Sequence, residues 1–268
     1  MGLDLITQRG CQVKNQIPQN QLLNQIKSRD QANLVFNMLI QNGKSRDEAL
    51  ATVFTKSIQT AEGIQNIQVK VSDLINNTSH LESVGAMCMN CPISQNKHFG
   101  CVGYVSYPIS LKCEAWLAQL ATGAYHKGMP YSAMLVFIKD QQITGNRMKQ
   151  MRAQGQTFFE SSIPQQIKPG SAENASDIIT SDQMLEMTFL HGIMKGTHMN
   201  YLLMLFGGVV TDQEKPEDRP YSYDNEQKKY LYLDLHLPED HDKSMLELYR
   251  FFQHLFVALV NGHDVWMD

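Results

Sequence analysis

The chain has 268 residues, 43% of them hydrophobic, enough for one large core or two smaller ones. With 23 basic against 27 acidic residues and a net charge of −4, it offers no electrostatic case for wrapping nucleic acid or lying on an anionic membrane. Its longest uncharged apolar run, residues 201–210, falls well short of the roughly 20 residues a membrane span needs, and the first ten residues lack the basic and apolar regions of a secretory signal, so the sequence predicts a soluble, cytoplasmic protein.

The N-terminal third reads as helices. Ser28-Arg29-Asp30-Gln31 and Ser45-Arg46-Asp47-Glu48 both have the form of a capping box, in which a Ser hydroxyl takes an orphan N–H and Gln or Glu reaches back to the cap. Ala32, Val35, Met38 and Leu39 follow the first box at helical spacing, and Gly43 ends that helix. Leu50, Val53, Phe54, Ile58 and Ala61 follow the second. From Ile64 to Ile75 the pattern fits a helix, although Ile67, Val69 and Val71 also alternate as a strand would; the length favours the helix.

Next comes the densest chemistry in the chain. Cys88, Cys91, Cys101 and Cys113 are spaced C-x2-C-x9-C-x11-C, and Cys11 is the remaining cysteine. In a reducing compartment such a cluster points to a metal ion before disulfides, and an odd total of five argues the same way. Zinc takes four thiolates in a tetrahedron, and a C-x2-C pair presents two of them from one tight turn. Gly100 and Gly103 let the chain fold close around Cys101, and Ser110 caps a helix whose positive end favours a Cys113 thiolate. The predicted ligand set is therefore Cys88, Cys91, Cys101 and Cys113, in a module at about residues 85–123 embedded in one domain, 1–268. His98 is a possible substitute ligand. The layout resembles treble-clef zinc modules, except that a single Cys113 stands where those modules carry a second C-x2-C pair. An iron–sulfur cluster is the alternative cofactor, but the spacing matches neither ferredoxin pattern. The same thiols also allow a thiol-dependent enzyme, with Cys113 as nucleophile and His98 or His126 as base or with Cys88 and Cys91 as a redox pair, or a redox or metal sensor using the same cysteines.

Beyond the cysteines, the helix capped by Ser110 runs to Gly123. Residues 133–138 are helix or buried strand, 144–154 form a polar helix with Arg147, Lys149 and Arg152 on a solvated face, and 158–160 form a brief strand. Residues 163–177 and 211–224 read as long loops. Ser181 caps one helical stretch that ends at Phe206, and Tyr230 to Leu237 alternates as a strand does. Ser244 to Glu247 forms a third capping box, opening a helix, Leu248 to Val260, apolar nearly all round and so buried. Val265-Trp266-Met267 closes the chain as a short strand.

The predicted class is mainly α with a few short strands, an α+β protein with a helical core around a cysteine-rich loop. Asp234, His236 and His241, in the acidic run 234–242, are candidates for a metal-dependent hydrolase site, although carboxylates ahead of a helix start are ordinary. His191 and His198 stand two helical turns apart, about 10 Å, too far to clamp one ion. No Walker A sequence, dinucleotide-binding glycine pattern or nucleophile elbow is present. The sequence thus favours a structural-zinc protein that acts by contact with another protein.

Overall fold

The computed structural model describes residues 2–60, 63–94, 98–122, 131–167, 178–212, 223–224 and 230–268. It is of the mixed α+β class, with more helix than strand, as the sequence predicts. The chain divides into two compact units, Arg9–Val102 and Gly2–Gln8 with Gly103–Asp268. The residues expected to form one module, 85–123, therefore fall in different units, parting after Val102.

Strand β1 (Gly2–Thr7) belongs to the second unit. The chain then builds the first unit from α1 (Gln12–Gln16), α2 (Gln19–Gln41), α3 (Arg46–Ala51), β2 (Val53–Thr60), β3 (Gly63–Lys70), α4 (Val71–Thr78) and α5 (His80–Gly85). Helix α2 is capped ten residues earlier than the first predicted box, at Pro18, because Leu22, Leu23 and Ile26 supply a buried face upstream. Ser28 lies inside that helix, and its hydroxyl accepts a hydrogen bond from Lys56 Nζ at 2.9 Å. The second box forms as predicted. Ser45 Oγ accepts the Glu48 N–H, and Glu48 Oε2 accepts the Ser45 N–H at 2.8 Å.

The helix expected after it does not form. α3 stops at Ala51, and β2 and β3 pair antiparallel from Val53↔Lys70 to Thr60↔Gly63. Val53, Thr55, Ile58, Thr60, Ile64, Ile67 and Val69 make both arms rich in β-branched residues, which suit a pleated chain better than a helix. The core of this unit gathers Val13, Ile17, Leu22, Ile26, Leu81 and Phe99 around Cys88.

The second unit holds a four-stranded sheet in the order β4 (Val102–Ser106), β1, β11 (Val265–Met267), β7 (Gly192–Met194). β11 pairs antiparallel with β1, Leu5 opposite Met267, and with β7, Val265 opposite Met194. β1 and β4 run in opposite senses, since Gly2 meets Val105 and Ser106 while Leu5 meets Gly103. A Cβ on Gly2 would lie 2.4 Å from the Val105 carbonyl oxygen, so only glycine fits there. The helices are α6 (Leu111–Ala121), α7 (Tyr131–Asp140), α8 (Asn146–Arg152), α9 (Ser181–Thr188), α10 (Gly196–Leu202) and α11 (Lys243–Val260). The remaining strands are β5 (Gln166–Ile167), paired with β6 (Ile179–Thr180), and β8 (Val209–Asp212), β10 (Tyr230–Leu233) and β9 (Tyr223–Asp224), paired in that order.

Helix α11 is the buried centre predicted from its composition, with Phe251, Phe252, Leu255 and Phe256 inaccessible and aromatic contacts to Phe189 and Phe206. Its cap is Asp242 rather than Ser244, with Oδ1 accepting the Met245 N–H at 2.9 Å. Asp242 Oδ2 also accepts the hydroxyl of Ser110, the cap of α6, so the two helix starts are tied together. The single stretch predicted over 181–206 is broken after Thr188. Gly192, at φ +92°, lets the chain turn into β7 and join the sheet edge before α10 begins. Residues 158–160 form no strand; Phe159 makes one isolated bridge to Ile109.

Arg152, expected on a solvated face, is buried. Its guanidinium bonds Asp182 Oδ1 at 2.6 Å, Glu114 Oε1 at 3.0 Å and the Ser161 carbonyl at 2.7 Å, and it lies 4.1 Å over the Phe159 ring. Glu114 and Asp182 have no solvent exposure, so their charges depend on this one cation. Replacing Arg152 with Ala should destabilise the chain by about 3–5 kcal/mol, read as a lower urea midpoint. An unchanged midpoint would mean that both carboxylates reach water or a proton in the folded protein.

Candidate functional site

The cysteines gather in the first unit. Cys11, Cys88, Cys91 and Cys101 line one cavity of about 30 Å³ with Gln12, Val13, Met87, Ser94 and Gly100. That volume admits a water-sized guest or a single ion. Three separate stretches of chain supply the thiols: the start of α1, the turn after α5, and the segment leading into β4.

Local bonding explains how they meet. A short 3-10 turn, Ala86–Cys88, continues α5. Cys91 N–H then donates to the Cys88 carbonyl at 3.0 Å, and Ser94 N–H and Oγ donate to the Cys91 carbonyl at 2.9 and 2.7 Å. Two consecutive turns thereby hold the C-x2-C pair. Phe99 adopts a left-handed conformation, φ +62°, with its ring buried and Arg29 5.7 Å above it. The next residue lies flat on the Ser94 turn: a Cβ at Gly100 would stand 2.2 Å from the Ser94 carbonyl oxygen. This contact brings Cys101 beside the pair.

Cys113 has different surroundings. It sits in the core of the second unit, fully buried near Trp116 and Leu117, with its N–H bonded to Ser110 Oγ at 2.9 Å. The predicted cap is correct, and three of the four predicted ligands, Cys88, Cys91 and Cys101, share a cavity. Cys11 is the fourth thiol there. Sequence spacing missed it because it stands 77 positions before Cys88; the unassigned fifth cysteine was the available signal.

All five cysteines are free thiols. Burial pushes Cys101 up to about 11 and raises Cys88, whose sulfur accepts the Phe99 N–H as a partial counterweight. Neighbouring thiols raise both further, and the Lys14 ammonium lowers both. Cys113 is raised well above the ordinary thiol range by burial first and then by Asp242, Glu114 and Glu247. The helix start does not make it the low-pKa nucleophile that a thiol enzyme needs. His126 lies outside the described residues. Among the described residues, no three His, Cys, Asp or Glu side chains stand arranged to hold a metal ion.

The other candidate groups have local partners. Asp242 is occupied by its cap bonds, Asp240 pairs with Lys112 at 2.6 Å, His236 with Asp234 at 3.1 Å, and His241 Nδ1 bonds the Pro238 carbonyl at 2.7 Å. His198 bonds the Met187 carbonyl at 2.9 Å, and His191 is 3.7 Å from Asp268. Arg147 bonds the Phe189 carbonyl at 2.7 Å. No helix among the described residues is long and apolar enough to cross a membrane. Comparison with known protein families, curated proteins and solved structures gives no match.

Because no side chain fits between residue 100 and the Ser94 carbonyl, Gly100→Ala should lift Cys101 off the pair and lower thermal stability. Alkylation of Cys101 by iodoacetamide, slow in the parent, is expected to accelerate at least tenfold. Equal rates would show that this contact does not position the thiol.

Proposed function

We propose that the chain is a non-catalytic, intracellular zinc protein in which one ion on Cys11, Cys88, Cys91 and Cys101 fixes the unit 9–102, and that it acts by contact with another protein. The observation that carries this reading is the convergence of four thiols from three chain segments on a cavity of ion size. No three of these side chains are yet arranged around one point, so the reading requires the thiols to reorient on the ion. A divalent cation reverses the effect of burial, because it stabilises the thiolates that an apolar pocket disfavours. A cavity of about 30 Å³ favours a single ion over an iron–sulfur cube and is small beside ordinary substrate pockets.

The ligand positions also favour a structural role. Cys11 and Cys101 stand 90 positions apart, near the two ends of the unit. Cross-linking a loop of that length removes unfolded-state entropy worth about 4–5 kcal/mol in the chain-entropy model. The contact role draws support from α2, where Leu34 and Met38, one turn apart, are 60% and 52% exposed.

Elemental analysis of the reduced full-length protein should find one zinc per chain. Cys11→Ser and Cys88→Ser should each abolish retention and lower the unfolding midpoint, whereas Cys113→Ser should keep the ion. A parent protein without metal, or a Cys11→Ser variant that binds as the parent does, would refute the assignment.

A further inference from the structure

Within this pocket two of the thiols differ from the others in how they are held. Cys88 and Cys91 bracket a single hydrogen-bonded turn, with the Cys91 N–H 3.0 Å from the Cys88 carbonyl. The Cα atoms of such a turn lie within about 7 Å, and a disulfide spans about 4.4–6.8 Å. Cys11 and Cys101 reach the cavity from other segments and have no comparable bond to the pair. Exposure adds an order of events. Cys91 is half-buried and open to a small reagent, while Cys88 is only 6% exposed.

We propose that Cys88 and Cys91 are the oxidation site of this centre: a hydroperoxide joins them in a disulfide, which withdraws two of the four donors and releases the ion. This regulation rests on the zinc reading of the pocket. In the first step the Cys91 sulfur attacks the peroxide O–O bond, giving a sulfenic acid and, from hydrogen peroxide, one water. In the second the Cys88 sulfur attacks the Cys91 sulfur, the S–S bond forms, and the hydroxyl leaves as a second water. Two thiols have lost one electron each and the peroxide has gained both. Thiol reductants of the cytosolic class restore the pair and the site.

Tryptic mapping tests this directly. Cleavage leaves Cys88 and Cys91 together on residues 71–97, Cys11 on residues 10–14 and Cys101 on residues 98–112. The reduced full-length protein is assayed for zinc, treated with hydrogen peroxide, blocked with N-ethylmaleimide and digested without reductant. The expected result is release of one zinc per chain, together with a 71–97 peptide that carries no maleimide and is lighter by two hydrogens. Sulfoxides at exposed Met87 and Met89 add oxygen and are told apart by mass. A cross-linked pair of peptides through Cys11 or Cys101, or a 71–97 peptide that still takes two maleimides, would overturn the proposal. The initial zinc content judges the metal reading separately. If the protein carries none, that reading fails alone, and the peptide masses still decide where oxidation falls.

Discussion

The opposed pairing of β1 with β4 is the constraint from which the rest follows. Neighbouring strands lie about 4.8 Å apart, and the end of β1 faces the start of β4, so residues 9–102 must leave the sheet and return to it at one place. The first and last residues of that excursion cannot drift apart. Cys11 lies just past its beginning and Cys101 just before its end, so the topology itself draws these two distant cysteines toward a common point. The turn at Cys88 and Cys91 completes the group because Gly100 permits two stretches of backbone to touch.

The electrostatics of the pocket match its position in a small core. Thiols in apolar surroundings hold their protons, and the raised Cys88 and Cys101 follow that rule. Cys113 obeys the same physics to a different end. Its neighbours Asp242, Glu114 and Glu247 add negative charge to an already dry site, and it behaves as a small core residue. Cys88 and Cys113, each near a turn or helix start in the sequence, thus have different surroundings: other thiols act on the first and carboxylates on the second.

What the sequence revealed depended on range. Features held by neighbours within a few positions were readable: the Ser45 box, the Ser110 cap, the apolar composition of α11 and the C-x2-C turn. Features decided by distant partners were not. Ser28 has every local mark of a helix cap, yet Leu22 and Ile26 find a core and the helix continues through it. The β2–β3 hairpin carries a pattern that both periods fit, and cross-strand pairing settles it. Arg152 reads as a solvated cation because its partners Glu114 and Asp182 lie 38 and 30 positions away. Cys11 was overlooked for the same reason.

The strand order of the sheet also bears on which part of the chain the second unit needs. Because β1 and β4 are opposed neighbours, a turn of ordinary hairpin length, two to five residues, would join Gln8 to Gly103 with no change in strand order. The second unit is therefore topologically whole without the first. The connection is that of a hairpin in which a whole unit stands in place of the bend, so replacing that unit by a short turn would leave β1 and β4 able to pair as they do.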